Sequence, residues 1–438
     1  MVTKRRLNSH GGERTCASII RARPSPLKIL FLTDNFPPER NAPATRIYEH
    51  ACYWVKWGHE VTVITCAPNF PEGLVYPGHR NRWYQVEMVD GIRVVRVKTF
   101  ITANEGVALR ALDYLSFMGS GFLGGLFQWR PDVVVATSPQ FFAAVGGWAL
   151  AGVRRLPFVF ELRDLWPASI AAVGAMNGSG VLRSLERLEL FLYRRSNAVV
   201  SVTESFKKDL VRRGIPAEKI AVVVNGVDLP RYSPRPKDPE LTDRHDLEGR
   251  FVVGYIGTHG MAHALGKVLD AAERMRDVPE VRFLFAGSGA EKVALVEEAK
   301  RRDLPNVLFL PSQPKERMPR IWSLCDVALV HLKDNPVFGT VIPSKIFEAM
   351  GMGLPILIAS PKGEASGIVE KEGAGMWIPP EDPDALTTAV RRFRIDREFY
   401  AGCAGHSLAA APRYSRESRA REMLGVLEQV VAGSATYG

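Results

Sequence analysis

The sequence predicts an α/β protein built from two Rossmann-like domains whose parallel sheets face one another across a cleft. Three observations predict this. At 438 residues the chain is too long for one ordinary core and fits two. Short apolar runs alternate with helical segments along its length, as parallel strands covered on both faces require. The alternation also restarts after VVVNGVDLPRYSPRPKDPE, a stretch rich in proline and charge that reads as a linker. The expected bounds are a basic flexible leader over 1–27, a first domain over 28–228, a second over 229–395 and a helical tail over 396–438 that packs back.

In the first domain, KILFLT (28–33) is a strand, TRIYEHACYWVKWGH (45–59) a helix and HEVTVIT (59–65) the next strand. Further strands are expected at IRVVRV (92–97), PDVVVAT (131–137), PFVFEL (157–162) and NAVVSVT (197–203). Between them, 114–129 carries no charge. It is too short and too glycine-rich for a spanning helix, which leaves a core helix or one pressed against a bilayer. The second half repeats the pattern at RFVVGYIG (250–257), VRFLFAG (281–287), NVLFLP (306–311), DVALVHL (326–332) and LPILIAS (354–360), then a helix after Asp382 and a charged amphipathic tail over 413–431.

The formal net charge is +10, yet residues 1–27 hold six Lys or Arg against one Glu, so the leader supplies about half the excess. The body is too mildly basic to imply a nucleic-acid partner. The leader has no uninterrupted apolar core of a signal peptide, so a cytoplasmic protein is expected. Five scattered cysteines (Cys16, Cys52, Cys66, Cys325, Cys403), odd in number and without C-x-x-C spacing, argue against a disulfide framework and a structural zinc site.

Several motifs are better read as structure than as chemistry. In EDPDAL, Asp382, Pro383 and Asp384 sit where a helix cap, a first-turn proline and a first-turn acid belong, which outweighs a D-x-D metal site. Neither FVVGYIGTHGMAH nor FAGSGAEK completes a dinucleotide fingerprint, and no P-loop or nucleophile-elbow pattern occurs. His259 and His263 lack a third metal ligand. No cofactor and no metal are expected.

Three stretches remain, each at the carboxyl end of a strand, where ligands of such sheets bind. In GTHGMAH, Gly257 and Gly260 allow backbone to approach a ligand and His263 can donate to phosphate, although a plain glycine turn would look the same. In IPSKIFEAM, Ser344 and Lys345 offer a hydroxyl, a cation and helix-start amides to a diphosphate, and Glu348 can accept from ribose hydroxyls. The bland alternative is a cap, a solvated lysine and a surface pair. In FELRDLWPAS, Glu161, Arg163 and Asp164 cluster toward the cleft while Trp166 and Pro167 stiffen the loop; a structural Arg–acid pair is the alternative. Arg46 either adds charge facing the cleft or is a solvated helix residue.

KILFLTDNFPPERNAPATR, PDVVVATSPQ, FELRDLWPAS, VVVNGVDLPRYSP, GTHGMAH and PSKIFEAMGMGLPIL, in this order, resemble the family 4 retaining glycosyltransferases, and particularly the bacterial surface-polysaccharide branch typified by the fucosamine transferase WbuB. The resemblance covers about Lys28 to Phe393. It implies the GT-B fold, a nucleotide-sugar donor (a UDP-sugar) held by the second domain, and a lipid-linked or glycan acceptor held by the first. It further implies metal-independent, retaining transfer by same-face attack, with association at the inner face of the membrane. Asp164, Glu161 and Arg163 would be catalytic, and Gly257, His263, Ser344, Lys345, Glu348 and Thr340 would bind donor. Arg46 and Trp166 would face the acceptor. Three positions depart from the family: Thr340 stands where the first of two paired glutamates belongs, and Thr258 and His263 replace its diphosphate-holding Arg and Lys. A sugar-nucleotide epimerase or a non-catalytic assembly subunit on the same fold are the other readings.

Overall fold

The computed structural model describes residues 26–39, 41–70, 72–102, 107–138, 140–165 and 179–435. The leader through residue 25, with Cys16, lies outside these, as do Trp166 and Pro167.

The first domain is an eight-stranded sheet of β1 (Lys28–Leu32), β2 (Glu60–Cys66), β3 (Tyr84–Val89), β4 (Ile92–Val97), β5 (Val133–Thr137), β6 (Phe158–Leu162), β7 (Ala198–Ser201) and β8 (Ile220–Val222). Their spatial order is β3-β4-β2-β1-β5-β6-β7-β8, parallel except for the β3–β4 hairpin. Helices α1 (Ala42–Lys56), α2 (Val107–Leu126), α3 (Phe141–Arg154), α4 (Ser179–Arg195) and α5 (Glu204–Arg212) join them. Central strands bury both faces: Val133, Val134, Val135 and Ala136 are wholly enclosed, which is why the run carries no polar alternation.

After α6 (Pro239–Arg244), the second domain alternates β9 (Phe251–Ile256), α7 (Gly266–Arg274), β10 (Val281–Ala286), α8 (Lys292–Arg301), β11 (Val307–Leu310), α9 (Met318–Trp322), β12 (Val327–His331), α10 (Lys345–Met352), β13 (Ile356–Ala359), α11 (Glu364–Lys371) and β14 (Gly375–Ile378). All six strands are parallel, in the order β11-β10-β9-β12-β13-β14. This is the doubly wound order, whose direction reverses between β9 and β12 and opens a crevice there. Helix α12 (Pro383–Ile395) begins as its sequence implies: Asp382 accepts from the amides of Asp384 (3.0 Å) and Ala385 (2.9 Å).

The chain then crosses back through α13 (Arg397–Ala410) and α14 (Arg416–Ala435). Helix α14 packs on α1, where Ala420, Met423 and Leu427 share an apolar cluster with Ile47, Ala51 and Trp54. Trp54 Nε1 also donates to the Ala420 carbonyl at 2.9 Å. Burying each large side chain there stabilises the docking by about 1.5–3 kcal/mol. Residues 414–416 run beside the linker, pairing with Val227 through both its N–H and its C=O. A side chain at Gly226 would come within 2.6 Å of the Tyr414 carbonyl, so only glycine permits that approach.

Candidate active site

On the second-domain side, β9 and β10 end backbone against backbone. Gly257 has φ 142° and Gly287 φ 148°, and a Cβ on Gly287 would lie 1.9 Å from the Gly257 carbonyl oxygen. Lys292 Nζ donates to the carbonyls of Gly287 (2.6 Å) and Leu310 (2.7 Å) and so fixes the ends of β10 and β11. The resulting cavity, about 190 Å³, is lined by Gly257, Thr258, Ser288, Gln313 and Met318 among others.

The start of α10 stands over the same strand ends. Ser344 occupies the cap position without a side-chain cap, and among the described residues no protein group accepts from the amides of Ser344 or Lys345. These amides and the helix dipole favour an anion. Lys345 reaches under Gly257, where a Cβ would meet its Nζ at 2.9 Å, and lies 3.7 Å from the centre of the Tyr255 ring. Burial lowers its pKa to about 7 despite Glu348 nearby. A turn further on, Glu348 accepts from Trp322 Nε1 at 3.0 Å, and burial raises its pKa.

His263 packs edge-on to the Tyr255 ring that carries Lys345. Its Nδ1 lies 3.3 Å from the His331 carbonyl, an acceptor only, so Nδ1 bears the proton and Nε2 of the neutral ring is a lone pair. Burial, with Lys345 adjacent, lowers its pKa to about 4. In the free ring Nε2 is therefore an acceptor, and the donation to phosphate expected of His263 requires the protonated ring. Thr340, half-buried, spends its hydroxyl on the Val337 carbonyl at 2.7 Å. Thr258 lines the cavity, and its carbonyl accepts from Tyr255 Oη at 2.7 Å.

A second cavity, about 150 Å³, bridges the two domains. Ser344, Glu348 and Lys315 line it from the second domain, Thr45 and Glu49 from α1, and Arg416 from α14. Glu49 is its hub: it pairs with Arg416 (2.6 Å), Lys315 (3.6 Å) and Arg231 (3.7 Å). Burial pushes the Glu49 pKa up, but the three cations outweigh it and hold the carboxyl below its usual range.

A first-domain loop follows β6. Two residues expected to serve it in the cleft, Glu161 on β6 and Arg46 on α1, are structural instead. Arg46 and Glu161 are each 1% exposed and pair at 2.8 Å. Arg46 also donates to the carbonyls of Val223 (2.8 Å) and Val224 (2.9 Å) and to Asn225 Oδ1 (3.2 Å). It pins α1 and β6 to the linker, so neither cleft charge nor solvation describes it. The Arg–acid pair foreseen for this loop thus runs from Glu161 to Arg46 on α1, not to Arg163. Arg163 keeps Nε and Nη1 buried without a partner, and burial lowers its pKa to about 9. The backbone amides of Arg163 (2.8 Å) and Asp164 (3.3 Å) both donate to Ser138 Oγ, which ties the loop to the end of β5 and leaves Asp164 half-buried.

Asp34, just past β1, was not foreseen. Burial, then Glu39 and Asp113, raises its pKa to about 7, and burial raises Asp113 to about 6. Its signal in the sequence is an acid at the end of the first strand, at the point where the sheet order reverses. Tyr255, Trp322, Lys315 and Glu49 carry no comparable signal, because only the tertiary fold brings them to the cleft. Among the described residues no group of three or more His, Cys, Asp or Glu is placed to hold a metal ion.

Residues 41–226 match the glycosyl transferase 4-like domain and residues 250–396 the glycosyl transferases group 1 domain. The chain is 26% identical over 381 residues to WcaI of Escherichia coli strain K12, a glycosyl transferase named for colanic acid biosynthesis, covering 84% of this chain and 92% of that protein. It is 24% identical over 385 residues to a GDP-mannose-dependent alpha-mannosyltransferase of Mycobacterium tuberculosis, covering 87% and 92%. Among solved structures, Anabaena HepE in complex with UDP superposes with a TM-score of 0.68 at 18% identity over 92% of this chain and all of that one. Sucrose-phosphate synthase of Thermosynechococcus elongatus does so with 0.73 at 15% identity over 92% and 99%. At those identities the structures speak for the fold alone. With both halves matched to transferase domains and both sheets in the same arrangement as these structures, the chain belongs to the glycosyltransferases of the GT-B fold.

Proposed function

We propose that the protein is a retaining, metal-independent transferase that moves a sugar from a UDP-sugar, of the UDP-N-acetyl-deoxyhexosamine type, to a lipid-linked or glycan acceptor in cell-surface polysaccharide biosynthesis. It works at the cytoplasmic face of the membrane, in the branch typified by WbuB. The observation that carries the reading is the uncapped start of α10, with Ser344, Lys345 and Glu348 together above Gly257 and across the cleft from the first domain. Relatives named for colanic acid biosynthesis and a fold neighbour bound to UDP support the substrate class.

In this mechanism the diphosphate lies against the free amides of Ser344 and Lys345 and against the Lys345 ammonium, and Glu348 accepts from ribose hydroxyls. The bond from the anomeric carbon to the diphosphate oxygen breaks, and its electron pair leaves with UDP. The acceptor oxygen bonds to the same face of that carbon and its proton passes to the departing phosphate. Donors fixed beforehand around the leaving oxygen lower the barrier. Asp164 orients the acceptor hydroxyl, and Arg163 supplies charge beside it. Arg46 and Glu161 position this loop from beneath without touching substrate.

The test is UDP release with purified protein, UDP-sugars and a lipid-linked or glycan acceptor in the presence of chelator. Release should require donor and acceptor together, give product with the donor's anomeric configuration, and fall at least a hundredfold in Glu348→Ala. Conversion of the donor with no acceptor present would make the protein an epimerase. Full complementation by Glu348→Ala would make it a scaffold.

A further inference from the structure

The first domain carries an apolar surface that its fold leaves uncovered. Helix α2 buries Phe117, Gly121, Gly124 and Gly125 against α3 and the sheet: a Cβ on Gly125 would strike Leu150 at 2.2 Å, and one on Gly124 would strike Val97 at 2.8 Å. On its opposite side Leu109, Leu112, Leu115 and Leu123, followed by Phe127, are between 43% and 78% exposed. At 100° per residue these five positions share one side of the helix. The only charged residues of α2, Arg110 and Asp113, are half-buried off that side. A stripe this long without charge is unlike the scattered apolar exposure of ordinary surfaces. For 114–126 the core-helix alternative thus holds for the inner side of α2, while its outer side faces out.

The stripe continues onto the sheet edge. The β3–β4 register sets Tyr84, Val86 and Met88 opposite Val97, Val95 and Arg93, on the α2 side of the sheet, and all three are exposed. Gln128 Nε2 donates to Tyr84 Oη at 3.1 Å, and the Phe100 amide donates to Ser116 Oγ at 2.8 Å, so helix and hairpin form one surface. At its border stand Trp83 and Trp129, 79% and 88% exposed, with Lys98 Nζ 4.6 Å from the centre of the Trp83 ring. Arg80, Arg82, Lys98 and Arg130 are exposed around them.

We propose that this face docks on a lipid bilayer bearing anionic headgroups, with the leucine stripe in the acyl boundary, the tryptophans at headgroup level and the cations on the lipid phosphates. An apolar band edged first by amphipathic aromatics and then by Lys and Arg matches the depth profile of a membrane interface. No described helix is long and apolar enough to cross a membrane, so α2 lies on the bilayer rather than through it. Gln140 Nε2, just past the end of β5, donates to the Tyr114 carbonyl of α2 at 3.3 Å, so the stripe begins at the carboxyl ends of the first-domain strands and a docked molecule turns that end of the cleft toward the lipid. The purpose of that orientation rests on the lipid-linked acceptor proposed above, whereas the docking itself does not.

The experiment is flotation of the full-length protein with phosphatidylcholine vesicles, with and without phosphatidylglycerol. Wild type should float with the anionic vesicles. Leu112→Glu/Leu123→Glu should lower the partition coefficient by about tenfold or more. Lys98→Glu/Arg130→Glu should lower it by about tenfold at low salt, and less as salt rises. Val293→Glu, an exposed apolar site on the second domain, should float as wild type does. Unchanged UDP affinity in every variant shows that each is folded. Wild type remaining in solution, or the double glutamate variant floating as well as wild type, overturns the proposal. So does a dimer that the double glutamate variant dissolves while vesicle binding stays intact, since a second copy of the chain would then own the face. Flotation without transfer to any lipid-linked acceptor sustains the docking and overturns the acceptor reading alone.

Discussion

Lys345 offers the sharpest test of how the second domain holds an anion. Burial leaves its pKa at about 7 in the free protein, well below the 10.5 of an ordinary lysine. A bound diphosphate restores the cationic form and raises the pKa, so UDP binding takes up a proton wherever the free amine is neutral. The sign follows from linkage: affinity is complete below the free pKa and is lost as pH rises toward the pKa of the complex. From pH 7, where half of the free amine is charged, to pH 9, where about 1% is, the dissociation constant of UDP should rise about fiftyfold, or ~2.3 kcal/mol. Titration calorimetry in buffers of different ionisation enthalpy measures both the affinity and the proton taken up, which should approach one at pH 9. Lys345→Met should bind UDP at least tenfold more weakly at pH 7 and remain nearly flat up to pH 9. A wild type without this slope, or a Lys345→Met variant that keeps it, would refute the assignment of the proton to Lys345.

Three further perturbations probe the surrounding frame. Arg46→Ala or Glu161→Gln leaves a buried charge without its partner and should cost about 3–5 kcal/mol in urea unfolding. Burial raises the Glu161 pKa, but Arg46, Arg163 and a Thr137 hydrogen bond together hold it below its usual value, so the pair's contribution is present at neutral pH and should fade as pH drops through the folded pKa of Glu161, a trend that a wild-type stability profile flat through the acid range would contradict. Gly287→Ala puts a methyl 1.9 Å from the Gly257 carbonyl and should weaken UDP binding at least tenfold by parting β9 from β10; an unchanged binding isotherm would show that the strand ends are not the floor of the donor site. Glu49→Gln removes the charge that Arg416, Lys315 and Arg231 share and should speed hydrogen exchange at 226–232 and 411–418, whereas unaltered protection there would mean the domains are held without it.

Much of the fold was legible because parallel strands buried on both faces write themselves as apolar runs, and every strand expected from such a run is present. The three strands not foreseen break that rule for physical reasons. β3 is an antiparallel edge whose outward row, Tyr84, Val86 and Met88, stays exposed, so its alternation lacks a buried face. β14 has four residues, and β8 has three and borrows Val222 from the stretch read as linker. In the site, Ser344, Lys345 and Glu348 were visible because helix-start chemistry is local. Glu161 and Arg46 were placed in the cleft because nothing local reveals that residues 115 apart will pair. The resting state of His263 was not visible because its tautomer is set by the carbonyl of His331, across the crevice between β9 and β12. Trp166 lies outside the described residues.

The protonation states share a pattern. In the second domain Lys345, His263 and Glu348, and in the first Asp34 and Asp113, are all driven toward their neutral forms, burial being the first cause in each case. Around these groups, though not at Glu49 with its three cations, the cleft presents little fixed charge before substrate arrives, which limits the desolvation that binding requires. In the proposed reaction a diphosphate above Gly257 would favour the charged forms of Lys345 and His263, and protonation would make His263 Nε2 a donor. On that reading the positive charge at Lys345 and His263 would grow where the leaving oxygen develops its own. Mutation of Tyr255, which both groups contact, separates this view from one in which they act independently: Tyr255→Leu should shift the pH dependence of UDP binding through Lys345 and His263 together. A shift of one alone would show that the two proton sites are not coupled through that ring.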